Sequence, residues 1–146
     1  MNIAVRDKPF EKKSGVACFA PYVSTSIIVG NKESVVFDSR IDSGADITCV
    51  PRSMVDKLGP PLLGIPITVR GHDGNTHKVW TYKVMIKLHG YPEECIKSYN
   101  PDRGILLTDS NIGLIGMDIL SRTNLSIDGI RNVFTIQLVE GEEELL

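Results

Sequence analysis

The 146-residue chain is poor in several things, and each shortage removes a class of explanation. Its three cysteines, Cys18, Cys49 and Cys95, are odd in number and share no metal-type spacing, so neither a full disulfide framework nor a thiolate zinc site follows. Free structural thiols are the expectation. No set of His, Asp and Cys has metal-ligand spacing either, so no metal and no cofactor are expected. No hydrophobic run approaches bilayer length, and the opening residues Met1 to Lys8 lack the apolar stretch of a signal peptide. A cytoplasmic, reducing setting without a membrane partner is expected. The formal charge is only -2, and the scattered Lys and Arg form no basic stripe that would suit nucleic acid. Internal repeats and low-complexity tracts are missing as well.

What remains is an ordinary globular composition, 42% hydrophobic, in a length that suits one domain with an adequate core. Residues 1–15 mix Lys, Asp and Glu with little periodicity and read as an arm or a loosely attached strand. Residues 16–139 form the expected domain, and the acidic stretch 140–146 reads as a solvated tail. Val23 to Val29 is strand-like and stops at the turn signal Gly30-Asn31, and Ser34 to Ile41 is the return strand. Pro51 to Leu58 is a short helix candidate with Gly59 after its end. Ile65 to Val69 starts a hairpin whose second arm runs from about Thr76 to Leu88. In that arm Trp80, Tyr82, Val84, Ile86 and Leu88 share one face, the period of two of a half-buried strand. Residues 89–103 read as a long polar connection. Ile105 to Leu107 is a buried-strand signal, Met117 to Arg122 a second short helix, and Leu125 to Ile127 pairs with Asn132 to Val139 around Asp128-Gly129. The fold class is mostly β with one or two short helices.

The chemistry concentrates in two places. Asp42-Ser43-Gly44-Ala45 follows the apolar strand ending at Ile41, which sets a carboxylate on a tight turn that Ser43 and Gly44 can support. Far downstream stands Leu114-Ile115-Gly116, followed by Met117-Asp118-Ile119-Leu120. With the hairpin near Gly71-His72-Asp73-Gly74 between them, these motifs resemble the retropepsin-like aspartic peptidases in order and spacing, over residues 22 to 138. The resemblance implies a closed-barrel-type acid protease fold. Its chemistry would be hydrolysis of a polypeptide substrate by water held between two carboxylates that share a proton. One Asp-Ser-Gly cannot supply two such groups, and Asp109-Ser110-Asn111 lacks the glycine and alanine, so the resemblance implies a homodimer in which Asp42 of each copy meets the other.

On this resemblance the catalytic residues are Asp42, Ser43 and Gly44. The substrate-binding ones are Ala45, Asp46 and the flap-tip residues Gly71, His72, Asp73 and Gly74, the flap closing over substrate. His72 and Asp73 read first as exposed turn residues, and Trp80 as a packing residue of the flap arm. Arg40 departs from the apolar residue usual at its position; it shares a face with Asp38 and Asp42 and either pairs with Asp38 or another carboxylate, or selects an acidic or polar substrate side chain. Some viral relatives pair the residue matching Asp46 with an arginine after the downstream glycine, where this chain has Met117. The competing function is a non-catalytic dimerisation or peptide-binding module of the same fold. A trimeric nucleotide hydrolase, suggested by Gly44-Ala45-Asp46-Ile47, lacks a glycine-rich phosphate-cradling tail, and Glu140 to Glu144 would repel phosphate.

Overall fold

A computed structural model describes residues 2–59, 62–70, 73–101 and 103–138 of the chain. It is mostly β, and its main sheet curls into half a barrel. The core strand is β2 (Tyr22–Val29), in which Tyr22, Val23 and Ile27 are buried. It pairs antiparallel with β4 (Phe37–Ile41) on one side and with β8 (Met85–Leu88) on the other. The expected return strand from Ser34 is shorter than its apolar pattern suggests. The Ser34 hydroxyl accepts from the Ile27 backbone N–H at 3.0 Å, and Val35 and Val36 are turned out to solvent between β3 (Lys32–Glu33) and β4.

Beyond β4 the order becomes non-sequential. β11 (Gly113–Ile115) lies parallel to β4 and antiparallel to β5 (Cys49–Pro51), and β10 (Leu106–Thr108) closes that edge parallel to β5. A strand more than sixty positions downstream of both is therefore inserted between two strands that follow one another in sequence. Gly113 makes the insertion possible, because a Cβ there would stand 2.6 Å from Ser39 Oγ and 2.9 Å from the Cys49 carbonyl oxygen. Ile115 and Ile119 are fully buried at the base of this region, together with Val50 and Val55. The two short helices, α1 (Arg52–Asp56) and α2 (Met117–Leu120), follow β5 and β11 directly.

Two segments are more definite than the sequence reading. The one expected as an arm or a loosely attached strand carries β1 (Asn2–Pro9), which pairs with β13 (Val133–Leu138), itself the partner of β12 (Thr123–Asp128). Val5 is buried, and so is Lys8, whose ammonium donates to the Tyr22 carbonyl at 2.7 Å; burial pulls the Lys8 pKa below its usual value. Residues 89–103 are likewise more than a connection, since they hold β9 (Lys97–Tyr99), the outer partner of β8, with Ser98 and Tyr99 buried. The acidic stretch from 140 onward lies outside the described residues.

The long hairpin arm divides in two. β6 (Leu62–Arg70) and β7 (Thr76–Lys83) form a separate two-stranded ribbon, and the chain then joins the main sheet as β8 after Val84. The ribbon is lightly buried except at Thr81, whose hydroxyl bonds the carbonyls of Ile65 and Arg103 at 2.7 and 2.6 Å. Trp80 does not pack as expected; it is 54% exposed, because the ribbon stands off the sheet whose core would have covered it.

Candidate functional site

The segment from Asp42 to Thr48 leaves the end of β4, passes over the end of β11 and returns as β5. Since adjacent strands lie about 4.8 Å apart, this loop spans roughly 10 Å across its own downstream chain. Backbone bonds stitch it to what it crosses. The Asp42 N–H donates to the Ile115 carbonyl at 3.0 Å, the Met117 N–H to Ala45 at 2.8 Å, and the Asp118 N–H to Asp46 at 3.2 Å. Gly116 has to be glycine for this approach, because a Cβ would meet the Ala45 carbonyl oxygen at 2.8 Å and the Ile47 carbonyl carbon at 2.9 Å.

Within the loop, Asp42 is half-buried, and its Oδ1 accepts from the Gly44 N–H at 3.0 Å. The Ala45 N–H donates to the Asp42 carbonyl, which completes a tight turn with Ser43 and Gly44 exposed at its tip. Gly44 has no left-handed backbone, and a Cβ there would come 3.3 Å from Asp42 Oδ1. Its contribution within one copy is thus a close approach to the carboxylate rather than a special dihedral angle.

A group overlooked in the sequence anchors the loop. Asp118 lies in the first turn of α2, and its carboxylate accepts from the Thr48 backbone N–H at 3.0 Å and the Thr48 hydroxyl at 2.7 Å. The same hydroxyl accepts from the Gly116 N–H at 3.1 Å, and the Ile119 N–H caps Asp118 Oδ1 at 2.9 Å. Thr48 is fully buried. Met117 follows Gly116 directly, and it is the next residue, Asp118, that ties the helix to the loop. The signal was available only as a carboxylate two places after Gly116, with nothing to link it to a threonine seventy positions earlier.

Beside the loop opens a cavity of about 690 Å3. It is lined by Ala45, Asp46, Ile47 and Cys49 from the loop and β5, by Ile67 to Arg70 of the ribbon, and by Arg103 and Leu106. A second hollow of about 430 Å3, bounded by Asp46, Ile47, Met117, Asp118 and Ser121, shares Arg103 with the first. The Cys49 thiol on the wall is pushed up in pKa by burial and then by the charges of Asp118 and Asp42. It stays protonated near neutrality and is no nucleophile.

The other expected site residues fall as follows. Arg40 is half-buried and directly opposite Tyr22 and Leu114, and Leu114 is opposite Cys49, so these four side chains share one face of the sheet. Of the roles open to Arg40, pairing with Asp38 is not seen; Lys13 holds Asp38 at 2.8 Å and also pairs with Glu11. Asp73 is an exposed turn residue, accepting from the Asn75 N–H at 2.9 Å, and Gly74 supplies a φ of 81°. Gly71 and His72 lie outside the described residues. Asp109 is almost wholly exposed and paired with Arg52, away from the Asp42 turn. Among the described residues no group of three or more His, Cys, Asp or Glu is placed to hold a metal ion, and no helix is long and apolar enough to cross a membrane.

No protein-family model matches the chain, and no curated protein matches it. Among solved structures it is similar to the EIAV protease complexed with the inhibitor HBY-793. That match has 17% identity and a TM-score of 0.39, covering 70% of this chain and 86% of that one.

Proposed function

We propose that the chain is a retropepsin-like aspartic endopeptidase that works as a homodimer, cleaving peptide bonds with water activated between Asp42 of one copy and Asp42 of the other. The observation that carries this reading is the loop itself: a half-buried carboxylate on a hydrogen-bonded turn, stretched over β11 and fixed from below by Asp118 and Thr48. Such a turn is rigid enough to hold a carboxylate in one place, which pairing across a two-fold axis demands. The ribbon lining the cavity supports it, because an extended peptide laid between ribbon and loop would be shielded from water.

In the proposed reaction one Asp42 is ionised and draws a proton from the water as it attacks the peptide carbonyl carbon. The other is protonated and gives its proton to the carbonyl oxygen. Collapse of the tetrahedral adduct breaks the C–N bond: the leaving nitrogen takes the proton that the first carboxylate drew from water, and one hydroxyl of the adduct returns its proton to the second carboxylate. The Gly44 N–H, already on Asp42 Oδ1, fixes the orientation of that carboxylate. In this reading Ser43 and Gly44 steady the paired carboxylates, and Gly44, Ala45, Asp46 and the turn at Asp73-Gly74 contact the substrate. The three free cysteines fit a reducing, cytoplasmic setting, which we propose with it.

The test is the Asp42→Asn variant, with its mass in solution measured beside wild type. Wild type should cleave a mixed peptide library and the variant should not, both at the mass of two copies. Equal cleavage by the two chains refutes the reading; partner binding without cleavage by either points to a peptide-binding module.

A further inference from the structure

The larger cavity carries two cations, Arg70 on the ribbon and Arg103, against the single carboxylate of Asp46. The smaller hollow shares Arg103 and Asp46 with it and adds Asp118, whose carboxylate accepts three hydrogen bonds from Thr48 and Ile119, so the positive excess lies in the larger cavity. Arg40 adds a third cation on the face that carries Cys49, a member of the cavity wall. Among the described residues, no ion pair or side-chain hydrogen bond holds the guanidinium of Arg40, Arg70 or Arg103. Three other cations near this sheet are paired: Lys13 with Asp38 and Glu11, Lys87 with Glu33, and Arg52 with Asp109. The rest of the cavity wall is apolar or neutral, from Ala45, Ile47 and Cys49 to Ile67, Val69 and Leu106.

We infer that this cleft selects polypeptide segments carrying an acidic side chain, with Arg103 and Arg70 as the groups that receive its carboxylate. The inference rests on the reading of the cavity as a peptide cleft. A guanidinium presents a planar fork of donors that matches a carboxylate in two parallel hydrogen bonds, whereas a lysine side chain of the peptide would meet like charge there. The apolar walls give room to the methylene stem of a glutamate, and Arg103, bordering both hollows, reaches the carboxylate from either. The two arginines stand on different elements, so closing the ribbon over a peptide brings Arg70 toward the carboxylate that Arg103 already holds. Binding an acidic segment then favours the closed ribbon, a coupling that a neutral segment lacks.

The experiment uses the Asp42→Asn chain, so that binding is read without turnover, and fluorescent ten-residue peptide pools that are random except for one fixed Glu, Gln or Lys. The Glu pool should bind at least about fivefold more tightly than the Gln pool, the advantage of a partly exposed charge-assisted bond, and the Lys pool most weakly. The Glu advantage should shrink as salt is raised. Replacing both arginines, as Arg70→Gln with Arg103→Gln, should level Glu and Gln, and Arg70→Glu with Arg103→Glu should turn the preference toward Lys. Both sites are exposed on the surface, and the milder pair keeps the test valid should the charge reversal disturb folding. Equal binding of Glu and Gln pools by the Asp42→Asn chain, or a Lys preference, overturns the inference. A wild-type chain that cleaves library peptides without charge preference overturns it while leaving the peptidase reading intact. Glu-selective binding with no cleavage by wild type does the reverse.

Discussion

Thr48 commits more polar atoms to the site than any chemical group proposed to react there. Its N–H and hydroxyl hold Asp118, its hydroxyl takes the Gly116 N–H, and its carbonyl takes the Leu106 N–H at 3.0 Å. Valine has nearly the same shape, so Thr48→Val removes the hydroxyl and strands a buried N–H rather than opening a hole. It should lower unfolding free energy by about 1–3 kcal/mol in a denaturant titration and loosen the Asp42 turn, with a fall in peptide cleavage. Gly116→Ala should cost a similar amount, about 1–3 kcal/mol, since the new methyl cannot avoid the Ala45 carbonyl without moving the loop. The raised pKa of Cys49 has its own readout. Alkylation near pH 8, followed by mass spectrometry, should label exposed Cys18 first and Cys49 far more slowly. Rapid labelling of Cys49 would mean that the cavity wall is more open than the structure has it.

At the scale of elements, the ribbon of β6 and β7 and the inserted strand β11 are opposites. β11 is locked by Gly113 and Ile115, and Gly113→Ala, with its methyl 2.6 Å from Ser39 Oγ, should destabilise the whole sheet rather than one edge. The ribbon has few buried side chains, and its backbone amides should exchange with solvent much faster than those of β2 and β8 in a hydrogen-exchange experiment. Trp80 is the only tryptophan in the chain, and it sits exposed on this ribbon. Its emission should shift to shorter wavelength when a peptide is bound under the ribbon; emission unchanged at saturating peptide would contradict closure. These contrasts also explain what the sequence disclosed. Alternation located β7 and β8, β-branched residues and the Gly30-Asn31 turn located β2, and Asp128-Gly129 marked the closing pair β12 and β13; of these, β8 and β13 bury one face in strict alternation. The pattern failed where one alternation runs through two sheets, as at Val84, and where pairing is remote. β1 is rich in Lys, Arg and Asp, and its apolar Ala4 and Val5 make sense only against β13, more than a hundred residues away. The tight turn at Asp42 was legible because it is local; the placing of Asp118, Arg70 and Arg103 was not, since the cavities they line are assembled from four separate segments.

For the molecule as a whole, the account requires two copies. One chain offers one Asp42 turn, and Asp109, the other acid in a comparable tripeptide, is spent on Arg52 at the surface. Cleavage should accordingly fall faster than in proportion as the chain is diluted through its dimer dissociation range, while a self-sufficient single chain would lose activity only in proportion. The sharpest measurement keeps wild-type chain constant and adds increasing Asp42→Asn chain, with time allowed for exchange, while peptide cleavage is followed. Mixed pairs hold one aspartate, so the account predicts that cleavage by the fixed wild-type chain declines toward zero as the variant is added in excess. Cleavage that stays constant throughout the titration, in a mixture shown to exchange partners, would contradict it.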